Sequence, residues 1–337
     1  MGFPKLSFFE KKKTLLLCHV GADIDSLAAA AAVYFSFKNK TGKQIGIPEH
    51  LNSEAKVLAE RISIPFTINP PLTEFDCIIC LDFSTNDMAG RLSDQLKNFR
   101  GASYVIDHHE KIASPLVKKC AASMLDAKAA STTELVYGLL EKSGISPGKN
   151  AAAAIACGII ADSAGFVVAT PRTFEVMAKT MKKSGKQFIQ LVELFEVETD
   201  ISEKVAKLKA ARRSKIYNSN DFLVVTSKVG AFESSAASVL VRLGADVAFA
   251  GATDEKGLML ISGRCKNTFI DKTGFSLVKD VFSELGKYIE GEGGGHPAAA
   301  AFNGKGDAVA ALKKCVELTN VALGRKFGKL SPIKEYS

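Results

Sequence analysis

The chain has 337 residues, 47% of them hydrophobic and 24% charged, so it can bury a sizeable core and is not of the disordered class. At ~100–200 residues per domain, its length suggests two domains. No apolar stretch reaches the ~18 residues of a membrane span, and the run Lys11-Lys12-Lys13 followed by Asp23 and Asp25 lacks the plan of a signal peptide, so a cytoplasmic, non-membrane protein is expected. The net charge of +8 fits an anionic partner, but the lysines are scattered, and a lysine-rich composition explains it equally well.

In chain order, apolar runs predict strands over 14–20, 44–47, 77–81 and 103–106. Helical patterns fall over 26–37, 53–61, 131–143 and 150–161, with Ser131 or Thr132 capping the third. Strands alternating with helices imply a doubly wound parallel sheet. The apolar spacing of Phe188, Leu191, Val192, Phe195, Val205, Leu208 and Ile216 predicts connecting helices over 186–218. A turn at 218–221 follows, then a strand over 222–227 and a helix over 234–243. Next come a hairpin of strands over 246–252 and 257–264, and a helix near 276–288. A glycine-rich loop, a strand over 298–302 and a helix over 307–323 complete the pattern, and the chain from Gly324 is expected to be loosely ordered. The expected architecture is an α/β chain: an N-terminal parallel-sheet domain (1–185), a helical linker (186–219), a smaller C-terminal α/β domain with a mixed sheet (220–325), and a tail (326–337).

Seven cysteines, an odd number with a single Cys-x-x-Cys at Cys77 and Cys80, fit a reducing interior. An offset of three on a strand places those two sulfurs on opposite faces, as packed core thiols.

Four segments hold most of the chemistry-bearing residues: His19-Val20-Gly21-Ala22-Asp23-Ile24-Asp25, then Asp82, then Asp107-His108-His109, and Asp162. Three of them follow predicted strands, at the edge where open α/β sheets form a ligand crevice. An aspartate after a strand is commonly a helix cap or turn former, so Asp82 alone decides little. Together, however, this many carboxylates cannot be ionised in one place without a compensating cation. Mixed carboxylate and imidazole donors suit manganese, iron, cobalt or zinc better than magnesium. The set would overfill one site and suits a pair of ions ~3.5–4 Å apart, an arrangement used in phosphate-ester hydrolysis.

This set resembles the DHH phosphoesterase family, named for the motif present here as Asp107-His108-His109. The first motif, His then Asp-x-Asp, reads His19 to Asp25, with Gly21-Ala22 where the family often has Asn-Pro. The second matches Asp82 in Leu81-Asp82-Phe83-Ser84. The fourth matches Gly158-Ile159-Ile160-Ala161-Asp162, followed by Ser163-Ala164-Gly165 where the family often has Thr-Gly. The resemblance implies two divalent ions, manganese foremost. His19 and Asp23 would hold one, Asp82 would bridge, and Asp25, His108 and Asp162 would hold the second. Asp107 would orient His108, and His109 would face the scissile phosphate. The run Gly293-Gly294-Gly295-His296, with Arg264 at an upstream strand end, is similar to the DHH-associated domain of one branch and implies a substrate-binding role for those residues. That loop differs from the second domain of family-II pyrophosphatases and exopolyphosphatases. The two-domain length is similar to nanoRNases, implying hydrolysis of short oligonucleotides to mononucleotides. A 3′-phosphoadenosine 5′-phosphate phosphatase or a cyclic di-nucleotide phosphodiesterase is the alternative. A non-enzymatic replication scaffold fits less well, because every presumptive ligand is present. A homodimer is compatible with the resemblance.

Overall fold

The computed structural model describes residues 2–110, 114–198 and 200–336. The chain forms two compact units, Met1–Val197 and Glu198–Ser337.

The first unit is built on six strands: β1 (Thr14–Leu17), β2 (Lys43–Ile47), β3 (Thr67–Ile68), β4 (Cys77–Leu81), β5 (Ala102–Asp107) and β6 (Ala122–Leu125). Their order is β3-β2-β1-β4-β5-β6, and every pair is parallel. The chain winds outward from β1 to β3, then returns to place β4 beside β1, so the strand order reverses between β1 and β4 and a crevice opens at their carboxyl ends. β4 is apolar throughout, and β1 apart from the buried Thr14, because both faces are covered. Leu16, Cys77 and Ile79 face one apolar cluster; Leu15, Leu17, Ile78 and Cys80 face the other. Cys77 and Cys80 thus lie on opposite faces of the sheet, as their spacing requires.

Helix Ile24–Ser36 packs on helix Lys149–Asp162, and both are rich in buried alanines, Ala28 to Ala32 on one and Ala151 to Ala154 with Ala156 on the other. Small side chains let the two axes approach closely. At Gly158 the approach is complete: a Cβ there would overlap Thr133 Oγ1 and lie 3.1 Å from Ala28 Cβ.

The second unit carries a seven-stranded mixed sheet of order β11-β12-β10-β9-β8-β7-β13. Its strands are β7 (Lys215–Ser219), β8 (Phe222–Lys228), β9 (Val247–Thr253), β10 (Leu258–Cys265), β11 (Gly291–His296), β12 (Ala299–Lys305) and β13 (Lys334–Tyr336). β8 and β9 are parallel; the other pairs are antiparallel.

Three expectations are corrected. Residues 215–218, read as the end of a helix, form β7, because Asn220 and Asp221 both adopt positive φ and close a hairpin onto β8. The glycine-rich stretch is not a loop but edge strand β11, paired with β12. A Cβ at Gly293 would overlap Phe282, and one at Gly295, where φ is +132°, would lie 2.6 Å from the Ala299 carbonyl oxygen, so glycine is required at both. The chain beyond Gly324 is ordered by helix Ala308–Phe327 and by β13, which pairs with β7. Helices Pro171–Ser184 and Asn267–Thr273 are additional to those expected. Among the described residues no helix is long and apolar enough to cross a membrane.

Candidate metal centre

His19 lies just past β1 and is buried. Its Nδ1 donates to the Val20 carbonyl at 2.8 Å. This turns Nε2 toward Asp23 Oδ1 and Asp82 Oδ2, each 3.6 Å away. Asp23 is the N-cap of helix Ile24–Ser36, and its Oδ1 accepts from the Ser26 amide at 3.0 Å. Asp25 is buried in the first turn of that helix, with its carboxylate against the start of helix Thr132–Lys142. There it accepts from the amides of Thr132 (2.7 Å) and Thr133 (3.0 Å) and from the Thr133 hydroxyl. Two amides and a helix N-terminus are a favourable setting for a carboxylate.

Asp82 follows β4 in the left-handed region, at φ +67°. Its Oδ1 accepts from Thr132 Oγ1 at 2.8 Å and faces His108 Nε2 at 3.8 Å. His108 Nδ1 donates to the Ala129 carbonyl at 3.2 Å, which turns its Nε2 toward Asp162 Oδ2 at 3.0 Å. A ring nitrogen engaged by a carbonyl while the other faces a site is the usual way a ligating imidazole is oriented. Asp162 arrives at the last residue of helix Lys149–Asp162.

Asp107 differs from expectation. Its Oδ1 accepts from His109 Nδ1 at 2.7 Å and from the His109 amide at 3.2 Å, so it orients His109 rather than His108. The short Asp-His-His turn decides this: residues two apart close a ring through the His109 amide and Nδ1, while Nδ1 of His108 is taken by the Ala129 carbonyl.

Ligand atoms converge in three groups, each within 4.8 Å: His19, Asp23 and Asp82; Asp25, His108 and Asp162; and Asp82, His108 and His109. Asp82 links the first group to the third. The donor set fits divalent ions on two observations. Asp162 Oδ2 is buried without a hydrogen-bond partner despite the nearness of His108, an arrangement that costs stability unless something else satisfies it. The 3.6 Å spacings around His19 exceed hydrogen-bond length, but donors each ~2.1 Å from one tetrahedral ion sit about 3.4 Å apart.

The electrostatics agree. Burial is the main influence that pushes the carboxyls of Asp25 and Asp82 above their usual range. Asp82 and Asp162 add to it at Asp25, and Asp23 adds to it at Asp82. At His19 burial opposes the charged form, yet Asp23 and Asp82 outweigh it and the imidazole is pushed up to about 10. His108 is pushed up to about 9 against the same burial, chiefly by Asp162 and Asp25. Burial also works against ionised Asp23, but His19 and the Ser26 amide hold that carboxyl below its usual range. The cluster binds positive charge, as protons on the imidazoles or as cations in their place.

In the second unit, Arg264 lies on β10, half-buried. It donates from Nη2 to Ser234 Oγ at 2.6 Å and from Nη1 to the Gly263 carbonyl at 2.9 Å. Among the described residues no carboxylate forms an ion pair with it. Gly293, Gly294, Gly295 and His296 lie on edge strand β11, and His296 is exposed. Sequence reasoning missed Thr132 and Thr133 as functional residues. The signal was a capped helix start rich in hydroxyls, which could anchor carboxylates as readily as cap a helix.

Residues 13–159 match the model of the DHH family, N-terminal domain. An uncharacterized protein of Methanocaldococcus jannaschii is 27% identical over 326 residues, covering 95% of this chain and 96% of the relative. Among solved structures, an exopolyphosphatase-related protein from Bacteroides fragilis superposes with a TM-score of 0.64 at 17% identity, over 95% of this chain and 94% of that one. A putative family II inorganic pyrophosphatase from Methanococcus jannaschii gives 0.45 at 17% identity, over 90% and 99%. The match to the DHH family's N-terminal domain thus falls within the first unit, and the likeness to the Bacteroides fragilis structure is one of fold. All the residues of this chain's ligand groups lie in the matched segment except Asp162, three residues beyond it.

Proposed function

We propose that the protein is a two-metal phosphodiesterase that hydrolyses short oligonucleotides to mononucleotides. The observation that carries this reading is the convergence of the three ligand groups at the carboxyl edge of β1, β4 and β5, with Asp82 common to two of them. His19, Asp23 and Asp82 would hold one ion, and Asp25, His108 and Asp162, beside Asp82, the other. Divalent ions bound there supply Lewis-acid polarisation of a phosphoryl group and acidification of water. Manganese suits the imidazole donors better than magnesium.

The chain's own residues supply the rest. Thr132 and Thr133 hold the carboxylates of Asp82 and Asp25 in place. Asp107 accepts from Nδ1–H of the half-exposed His109, and in the imidazolium form of that ring the Nε2–H would donate to a phosphoryl oxygen as charge develops. Arg264, with no competing carboxylate, is available to a substrate phosphate. The glycine edge strand, which ends on His296, presents backbone N–H groups to the same class of ligand.

The test is a substrate panel on chelator-treated protein with manganese, cobalt or magnesium restored. Short RNA and DNA oligomers, a 3′-phosphonucleotide, a cyclic dinucleotide, pyrophosphate and polyphosphate are compared. Rapid turnover of two- to five-mers with manganese supports the proposal. Preference for pyrophosphate or polyphosphate, or full activity with magnesium and none with manganese, refutes it.

A further inference from the structure

We propose that a cavity within the C-terminal unit holds one nucleotide of the oligonucleotide substrate, with Phe232 stacking on its base and Lys209 and Arg213 meeting its phosphate; the inference rests on the oligonucleotide reading above. The cavity, of about 420 Å³, lies between helix Ile201–Arg212 and the segment that follows β8. That volume is within the ~300–1,000 Å³ of small-molecule sites.

Its two walls differ in chemistry. On the helix side, Ile201, Val205, Lys209 and Arg213 recur every four residues and form one stripe, apolar at the start and cationic at the end. Among the described residues neither Lys209 nor Arg213 forms an ion pair, while Glu203 of the same helix is already paired with Lys207 at 2.8 Å. On the other wall stands Phe232, 39% exposed. Its backbone is left-handed, φ +60° and ψ +41°, a conformation bulky residues rarely adopt. Glycine would serve there without strain, and the ring is not spent on the core. A strained, exposed aromatic maintained at a cavity wall is the kind of outlier that marks a binding function. An aromatic face opposite two free cations matches a base and its phosphate, the chemistry of single-stranded nucleic-acid sites. The cavity is also tied to the arginine assigned to substrate: Ser234, two residues after Phe232, accepts the hydrogen bond from Arg264 Nη2.

The chain contains no tryptophan, so Phe232→Trp introduces a single indole reporter. The full-length variant is treated with chelator, to separate binding from turnover, and titrated with 5′-AMP and with a phosphorothioate-linked adenylyl dinucleotide. Saturable quenching is expected, weakened about tenfold or more when Lys209→Ala and Arg213→Ala are added. Phe232→Gly separates ring from fold: it removes the ring and relieves the positive φ. Its Tm should hold or rise while KM for a dinucleotide rises about tenfold. Absence of quenching, quenching indifferent to both cations, or an unchanged KM in Phe232→Gly overturns the proposal. If Phe232→Gly fails to fold, the two exposed cation variants decide. Wild-type protein that cleaves no oligonucleotide refutes the oligonucleotide reading instead, and the titration of metal-free protein separates that result from failure of the cavity.

Discussion

Replacing Asp82 by asparagine tests the centre at the residue its halves share. Oδ2 faces His19 and Oδ1 faces His108, so one change removes a donor from two ligand groups. Asparagine keeps the shape, can accept the Thr132 hydroxyl and tolerates φ of +67°. It deletes a negative charge from a buried place where the carboxyl is already pushed up by burial and by Asp23. Metal-free Asp82→Asn should therefore be as stable as wild type or more so. Metal reverses the order. An ion present at a hundredfold its Kd stabilises by about 2.7 kcal/mol. For a unit of ~150–250 residues that corresponds to about 5–10 °C in Tm. Wild type should show this gain on adding manganese to chelated protein, and the variant should lose most of it. Metal analysis should find fewer than two ions per chain, and the rate should fall at least about a hundredfold, ~2.7 kcal/mol of barrier. A variant that retains two ions and the full manganese-induced gain in Tm would refute the shared-ligand assignment.

Metal-free protein should lose stability as pH rises from about 6.5 toward 10. His19 and His108 have folded values of about 10 and about 9 against an ordinary 6.5, and raised groups contribute stability below the unfolded value that disappears above the folded one. The raised Asp25 and Asp82 act in the same direction beginning at lower pH, whereas the lowered Asp23 opposes them only in acid. Tm against pH, with and without metal, checks the sign; a metal-free Tm that climbs through this window contradicts it. Metal binding at neutral pH should release protons, visible as a buffer-dependent heat in calorimetry. Gly158→Ala should destabilise by about 1–3 kcal/mol through overlap with Thr133 Oγ1, offset by ~1 kcal/mol of helix propensity. Because Thr133 also holds Asp25, manganese affinity should fall with it, and a cycle with Thr133→Ala should show coupling. Arg264→Ala should raise KM for a dinucleotide about ten- to a hundredfold, from ~1.5–3 kcal/mol for a charge-assisted hydrogen bond, with metal content unchanged. Bis(p-nitrophenyl) phosphate, which lacks nucleotide features, should be affected far less, and equal loss on both substrates would place Arg264 outside substrate recognition.

Much of the candidate metal centre is legible in the amino-acid sequence. Apolar runs at β1, β4 and β5 end on His19, Asp82 and Asp107, and a parallel sheet must gather such strand ends at one edge. The alanine-rich patterns of helices Ile24–Ser36 and Lys149–Asp162 signal close helix packing, and a spacing of three residues separates Cys77 from Cys80. Strand β11 is not legible, because glycine has little strand propensity and only pairing with β12 extends it. Nor is the order of the last residues, since β13 is a strand only beside β7, more than a hundred residues earlier.

The sequence by itself determined which donor atoms exist and near which strand ends they emerge, because side-chain type and hydrophobic period are local properties. Only the tertiary structure decided how those donors are aimed. Asp25 is held by Thr132 and Thr133, His108 by Ala129, and Asp107 holds His109 and not His108. Orientation is set by hydrogen bonds across the fold, in the case of Asp25 to residues more than a hundred positions away, and no local pattern encodes a partner at that separation.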